Sequence, residues 1–107
     1  MSESADFQKG LDAYYREDHA TALREWKSLA EQGDAVAQFN LGVMYENGRG
    51  VPQDNVYAHM WGNLAASNGN ESGGKLRDFV AKRMTPARIE DAQKLARECV
   101  RKKYKGC

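Results

Sequence analysis

Apolar residues recur along this chain at intervals of three and four, the spacing of one buried helix face. Phe7, Gly10, Leu11 and Tyr14 form the first such stripe and predict a helix over residues 4–15. Ala22, Leu23, Trp26, Leu29 and Ala30 form a second stripe behind Asp18, whose carboxylate suits the free amides of a helix start. Gly33 then supplies the left-handed backbone that ends a helix. Asp34 caps a third stripe of Ala37, Leu41, Met44 and Tyr45 over residues 35–47. Asp54 caps a fourth, with Ala58, Trp61, Leu64 and Ala65, ended by Gly69. Leu76, Phe79, Val80 and Met84 predict a fifth helix over residues 71–84. Its Gly73 and Gly74 each cost about 1 kcal/mol relative to Ala, so its first turn is expected to fray. Thr85 followed by Pro86 opens a last helix over residues 86–104, with Ile89, Ala92, Leu95, Ala96, Cys99 and Val100 inward. The expectation is six helices and no sheet.

The stripes repeat. Phe7 and Gly10 return as Phe39 and Gly42, shifted by 32; Asp18, Ala22, Ala30 and Gly33 return as Asp54, Ala58, Ala66 and Gly69, shifted by 36. The four extra residues lie in the segment from Gly48 to Gln53. Two glycines there permit positive φ, and Pro52 holds Val51 extended. Self-similarity near 35 residues marks a solenoid of helix pairs, each burying its apolar face against its neighbours. The sequence therefore predicts an all-α, right-handed helical-repeat solenoid of antiparallel helix pairs in one domain. Its expected parts are a repeat over 4–33, a repeat over 34–69 and a capping pair over 70–107. Trp26 and Trp61 are expected in the core.

The net charge of +1 hides an asymmetry. Residues 1–71 hold 5 Lys and Arg against 11 Asp and Glu, whereas residues 72–107 hold 11 against 4. A solvated face is the plain explanation; an anionic partner or head-to-tail self-association are the functional ones. No apolar run approaches the roughly 18–20 residues that span a bilayer. The polar start, residues 1–6, does not read as a secretory leader.

The second repeat carries a likeness. Its run from Ala35 through Gln38, Leu41, Gly42, Tyr45, Glu46, Gly48, Gly50, Val51, Pro52, Gln53 and Asp54, continued by Ala58, Trp61, Ala65, Ala66 and Gly69, resembles the Sel-one-like repeat family. That family is a branch of the tetratricopeptide-like solenoids. The resemblance implies protein–protein interaction without catalysis, with no cofactor and no metal. Tetratricopeptide-like arrays bind partners on the concave face lined by the first helix of each pair. Carried onto this chain, that face holds Val36, Phe39, Asn40, Val43, Glu46 and Asn47. Asparagine amides beside Phe39 and Val43 suit the backbone of an extended or helical peptide. Phe39 packing against the first helix is the competing reading.

Other chemistry is sparse. Some cysteine-rich relatives of the family have been described as β-lactam-binding, and Ser72-x-x-Lys75 has the spacing of serine β-lactamases. The chain has neither the Ser-Asp-Asn nor the Lys-Thr-Gly element that accompanies it. His19 and His59 lack a second ligand at metal spacing and are expected at the surface or partly packed. Arg101, Lys102, Lys103 and Lys105 interleave only Tyr104, which does not suggest nucleic-acid binding.

Cys99 and Cys107 leave two readings open. In one continuous helix they would stand about 12 Å apart along the axis, and a disulfide needs Cα atoms within about 7 Å. A bond thus requires a chain reversal before Cys107, for which Gly106 is the permissive residue. Alternatively Cys99 is a buried thiol and Cys107 an untethered terminus. The tail is similar to those of some bacterial members, which favours the disulfide. With it goes a periplasmic or secreted location if a leader has been removed; the cytoplasm is expected otherwise. The expected molecule is a monomer or weak homo-oligomer that binds an unknown protein or peptide.

Overall fold

The computed structural model describes residues 5–107, which form six helices and, among the described residues, no strand. They are α1 (Phe7–Tyr15), α2 (His19–Glu31), α3 (Ala35–Asn47), α4 (Asn55–Ser67), α5 (Glu71–Ala81) and α6 (Pro86–Arg101). The Ser4 end expected for α1 lies outside the described residues. Asp6 instead caps the helix, accepting from the Lys9 amide. Every helix start is capped this way: Asp18, Asp34, Asp54, Asn70 and Thr85 each accept an amide two or three residues on.

The ends share one geometry. The amides of Asp18, Asp34 and Asn70 reach back five residues to the carbonyls of Ala13, Leu29 and Ala65, at 2.8–3.1 Å. The residue before each is left-handed: Glu17, Gly33 and Gly69. A single residue therefore closes one helix with its amide and opens the next with its side chain. Helix α5 stops at Ala81, short of the expected Met84. Thr85 must be extended before Pro86, and residues 82–84 tighten into short-range turns.

Small residues set the packing distances. Ala13, Ala22, Ala30, Ala37, Ala58 and Ala65 are fully buried, and Trp26 and Trp61 fill the core between them. The Trp26 indole lies across Gly10 and donates Nε1–H to the Phe7 carbonyl at 3.3 Å. Helices α5 and α6 both lie against α4, and α5 also reaches α3. The α4–α5 approach is backbone on backbone: a Cβ on Gly62 would sit 2.8 Å from the Gly73 carbonyl oxygen. Gly73 is thus a packing residue inside a formed helix, rather than a source of fraying. Two expected inward residues point out, since Phe79 and Val100 are each 53% exposed.

The adjacent glycines of α5 should respond oppositely to alanine. A Cβ at Gly73 would meet Ala65 Cβ at 2.6 Å and the Gly62 oxygen at 2.7 Å, whereas at Gly74 nothing comes nearer than 3.6 Å. Gly73→Ala should lose about 1–3 kcal/mol in urea unfolding, and Gly74→Ala should gain about 0.5–1 kcal/mol. Equal effects would refute the close approach.

Candidate functional site

The six residues expected to form a binding face all lie on α3. Val36 is 46% exposed, Asn47 is exposed, and Phe39, Asn40, Val43 and Glu46 are half-buried. Five of them stand clear of the helix's buried side, which is Ala37, Gln38, Leu41, Gly42 and Met44. Glu46 is engaged internally: its carboxylate accepts from Arg83 Nη2 at 3.0 Å. The Arg83 guanidinium in turn lies 4.8 Å over the Phe79 ring.

Phe79 is exposed on α5, and the inward reading of its stripe missed it. The register contained the signal. The caps Asp34 and Asn70 differ by 36, and the same shift carries Val43 to Phe79. It also carries Val36 to Ser72 and Phe39 to Lys75. Ser72 and Lys75, the β-lactamase-like pair, are both exposed on α5. Their spacing is that of the exposed α3 positions one repeat earlier.

Behind this surface runs a polar brace. Gln38 is fully buried; its Nε2 donates to the Ala30 carbonyl at 3.1 Å, and its Oε1 accepts from Asn68 Nδ2 at 2.9 Å. Asn68 meets the Tyr104 hydroxyl at 3.2 Å, and the Tyr104 ring lies over Gly33. A buried amide costs about 1–3 kcal/mol if left unpaired, so Gln38, the one buried member, depends on both of its partners, whereas Asn68 is exposed.

The brace ends in the disulfide. Cys99 and Cys107 are bonded, with Cα atoms 5.7 Å apart. The reversal begins earlier than Gly106. Lys103 and Tyr104 both adopt positive φ, 54° and 67°, which is why α6 stops at Arg101 and not at Tyr104. Gly106 completes the turn, and its amide donates to Glu31 at 2.9 Å. The cations Arg101, Lys102, Lys103 and Lys105 are exposed around it.

His59 departs from expectation. It is 3% exposed, covered where α5 closes on α4, and its Nδ1 has no partner among the described residues. Burial, with the nearby Arg77 charge, pushes its pKa below the ordinary 6.5, while Asp78 pulls the other way. His19 lies beside the Tyr14 ring, with centroids 5.4 Å apart. Among the described residues no cluster of three His, Cys, Asp or Glu could hold a metal, and no helix is long and apolar enough to cross a membrane.

The comparisons fit this geometry. Residues 35–70 match the family model for the Sel1 repeat. A solved structure similar to the chain is a protective antigen present in uropathogenic Escherichia coli strains and displaying an SLR fold. The two share 30% identity with a TM-score of 0.82, over 92% of this chain and 22% of that one. This chain thus spans about a fifth of that neighbour's length. No curated protein sequence matches it.

Because the folded state disfavours the His59 cation, the unfolded chain binds the extra proton, and the resulting stability is present above pH 6.5. It should be lost progressively as pH falls through and below 6.5. The urea midpoint should drop over that window, and His59→Gln should flatten the slope. An unchanged slope would show that His59 titrates normally in the fold.

Proposed function

We propose that this Sel1-repeat chain is a non-catalytic interaction module that binds a peptide or protein segment on the concave face offered by α3 and α5. The observation that carries the reading is the exposed strip itself. Val36 and Phe79 are about half exposed, although both are large apolar residues on helices with well-filled cores. Between them Phe39, Val43 and the Asn40 and Asn47 amides alternate apolar contact with hydrogen-bonding capacity. Such a strip gives an extended or helical peptide both affinity and register. The Arg83–Glu46 pair at its edge fixes Arg83 over Phe79 and stiffens the surface before any partner arrives.

An extracytoplasmic setting, periplasmic or secreted, suits the same reading. A bonded Cys99–Cys107 pair persists where thiols are not kept reduced. The setting would also expose the strip to partners outside the cytosol.

A peptide-display selection on the immobilised chain supplies the ligand for a test. Phe39→Ala and Asn47→Ala should each weaken the selected peptide about tenfold or more, a loss of about 1.4 kcal/mol. Their thermal midpoints should stay within a few degrees of the parent, because both side chains are at least partly exposed. Unchanged affinity in two folded variants would move the binding face elsewhere.

A further inference from the structure

The connection between α3 and α4, residues 48–54, folds back on the preceding helix pair. Gly50 lies against the first residue of α2: a Cβ there would sit 3.2 Å from both Cβ and the carbonyl oxygen of His19. Arg49 Nη1 donates to the Tyr14 hydroxyl at 2.8 Å. Val51 is half-buried against the core. A Gly-Val-Pro turn, with Gly50 left-handed at φ 75°, thus fills the notch beside the start of α2.

The equivalent notch beside α4 is open. The shift that carries Asp18 to Asp54 carries His19 to Asn55. The connection that should cover Asn55 is residues 82–85, four residues where the earlier connection has seven, and it contains no glycine. A groove of about 750 Å³ lies there, between Asn55, Val56 and Tyr57 on one side and Met84 and Leu95 on the other. That volume is in the usual ligand-site range of about 300–1,000 Å³. Its charged lining is balanced, with Arg83, Arg88 and Lys94 against Asp54, Asp91 and Glu98. Arg88 is paired with Asp91 at 3.7 Å, and Arg83 with Glu46. Such a lining does not select a strongly charged ligand.

We propose that this groove binds a turn-forming peptide segment of the Gly-Val-Pro type, presented by a partner protein and docked as residues 48–53 dock one repeat earlier. The aliphatic side chain packs between Tyr57 and Leu95. The proline fixes its own φ and restricts the valine before it, which reduces the ordering cost of binding. The groove meets the α3–α5 strip at Arg83, which lines the one and pairs with Glu46 of the other.

The probe is a terminally blocked hexapeptide with the chain's own sequence from Gly48 to Gln53, titrated into the labelled full chain and followed by amide NMR. Expected are saturable shifts centred on Asn55, Val56, Tyr57, Thr85 and Leu95. They should weaken at least tenfold when the peptide's valine is replaced by aspartate. Val56→Glu should abolish them in the protein. This variant is chosen because a carboxylate is favourable in the first turn of a helix. If it fails to fold, the aspartate peptide still decides. No saturation up to about 10 mM, shifts centred on α3, or equal response to both peptides would overturn the proposal. Broadening of the groove amides with rising protein concentration and no response to peptide would overturn it in favour of a second copy.

Discussion

The enclosure of α4 is the constraint on which the rest of this fold depends. Seven of its residues, Ala58 to Gly62 with Leu64 and Ala65, are buried. That is possible only because α3, α5 and α6 all approach it closely. Close approach in turn requires side chains that end at Cα or Cβ. Gly42 admits Leu76, Gly62 admits the Gly73 carbonyl, and Gly73 admits Ala65. Dispersion between backbones at this distance is short-ranged, so one methyl group at the wrong position pushes two helices apart. His59 is buried as a by-product, held neutral by the same closure that buries Trp61.

A second layer of specificity is polar. Helix packing by alanine and glycine tolerates some sliding, because the surfaces are smooth. The chain from the Ala30 carbonyl through Gln38 and Asn68 to Tyr104 does not, since its first and last hydrogen bonds each fix a distance between neighbouring helix pairs and the middle one ties α3 to the end of α4. The disulfide closes a loop of about nine residues around the last member, worth about 2–3 kcal/mol by chain entropy. It holds Tyr104 over Gly33 against the mutual repulsion of the surrounding cations.

Much of this was legible in the sequence because periodicity reports on what is buried. The six helices, four of the caps, the buried tryptophans and the disulfide were all expected. Failures came where burial and period diverge. Phe79 and Val100 fit an inward stripe by spacing, yet both sit at its edge, where α5 and α6 turn away from α4. Gly73 counted as a weak helix former, because propensity is local and the carbonyl it accommodates belongs to another helix. Lys103 and Tyr104 carry no signal for left-handed backbone; Lys103 adopts it where the Tyr104 amide reaches back to the Cys99 carbonyl, the closure that ends α1 after Glu17. The outward positions of α3 followed from its register; the exposure of Phe79 on α5 did not follow from its stripe, although the register between caps contained it.

The two-way residues at the helix junctions carry one more implication. Where Asp34 and Asn70 end one helix pair and begin the next, no residue can be added or removed without breaking both hydrogen bonds at once. The two duties are separated between α5 and α6, at Lys82 and Thr85, and between α3 and α4, with Gly48 closing one helix and Asp54 opening the next. That segment is where the repeat lengthens from 32 to 36 residues. Length variation in a chain built this way is confined to the loops between the two helices of a pair, and the joints between pairs are fixed in size. Such an architecture can therefore diversify at one edge while the spacing of its stacked helices stays constant.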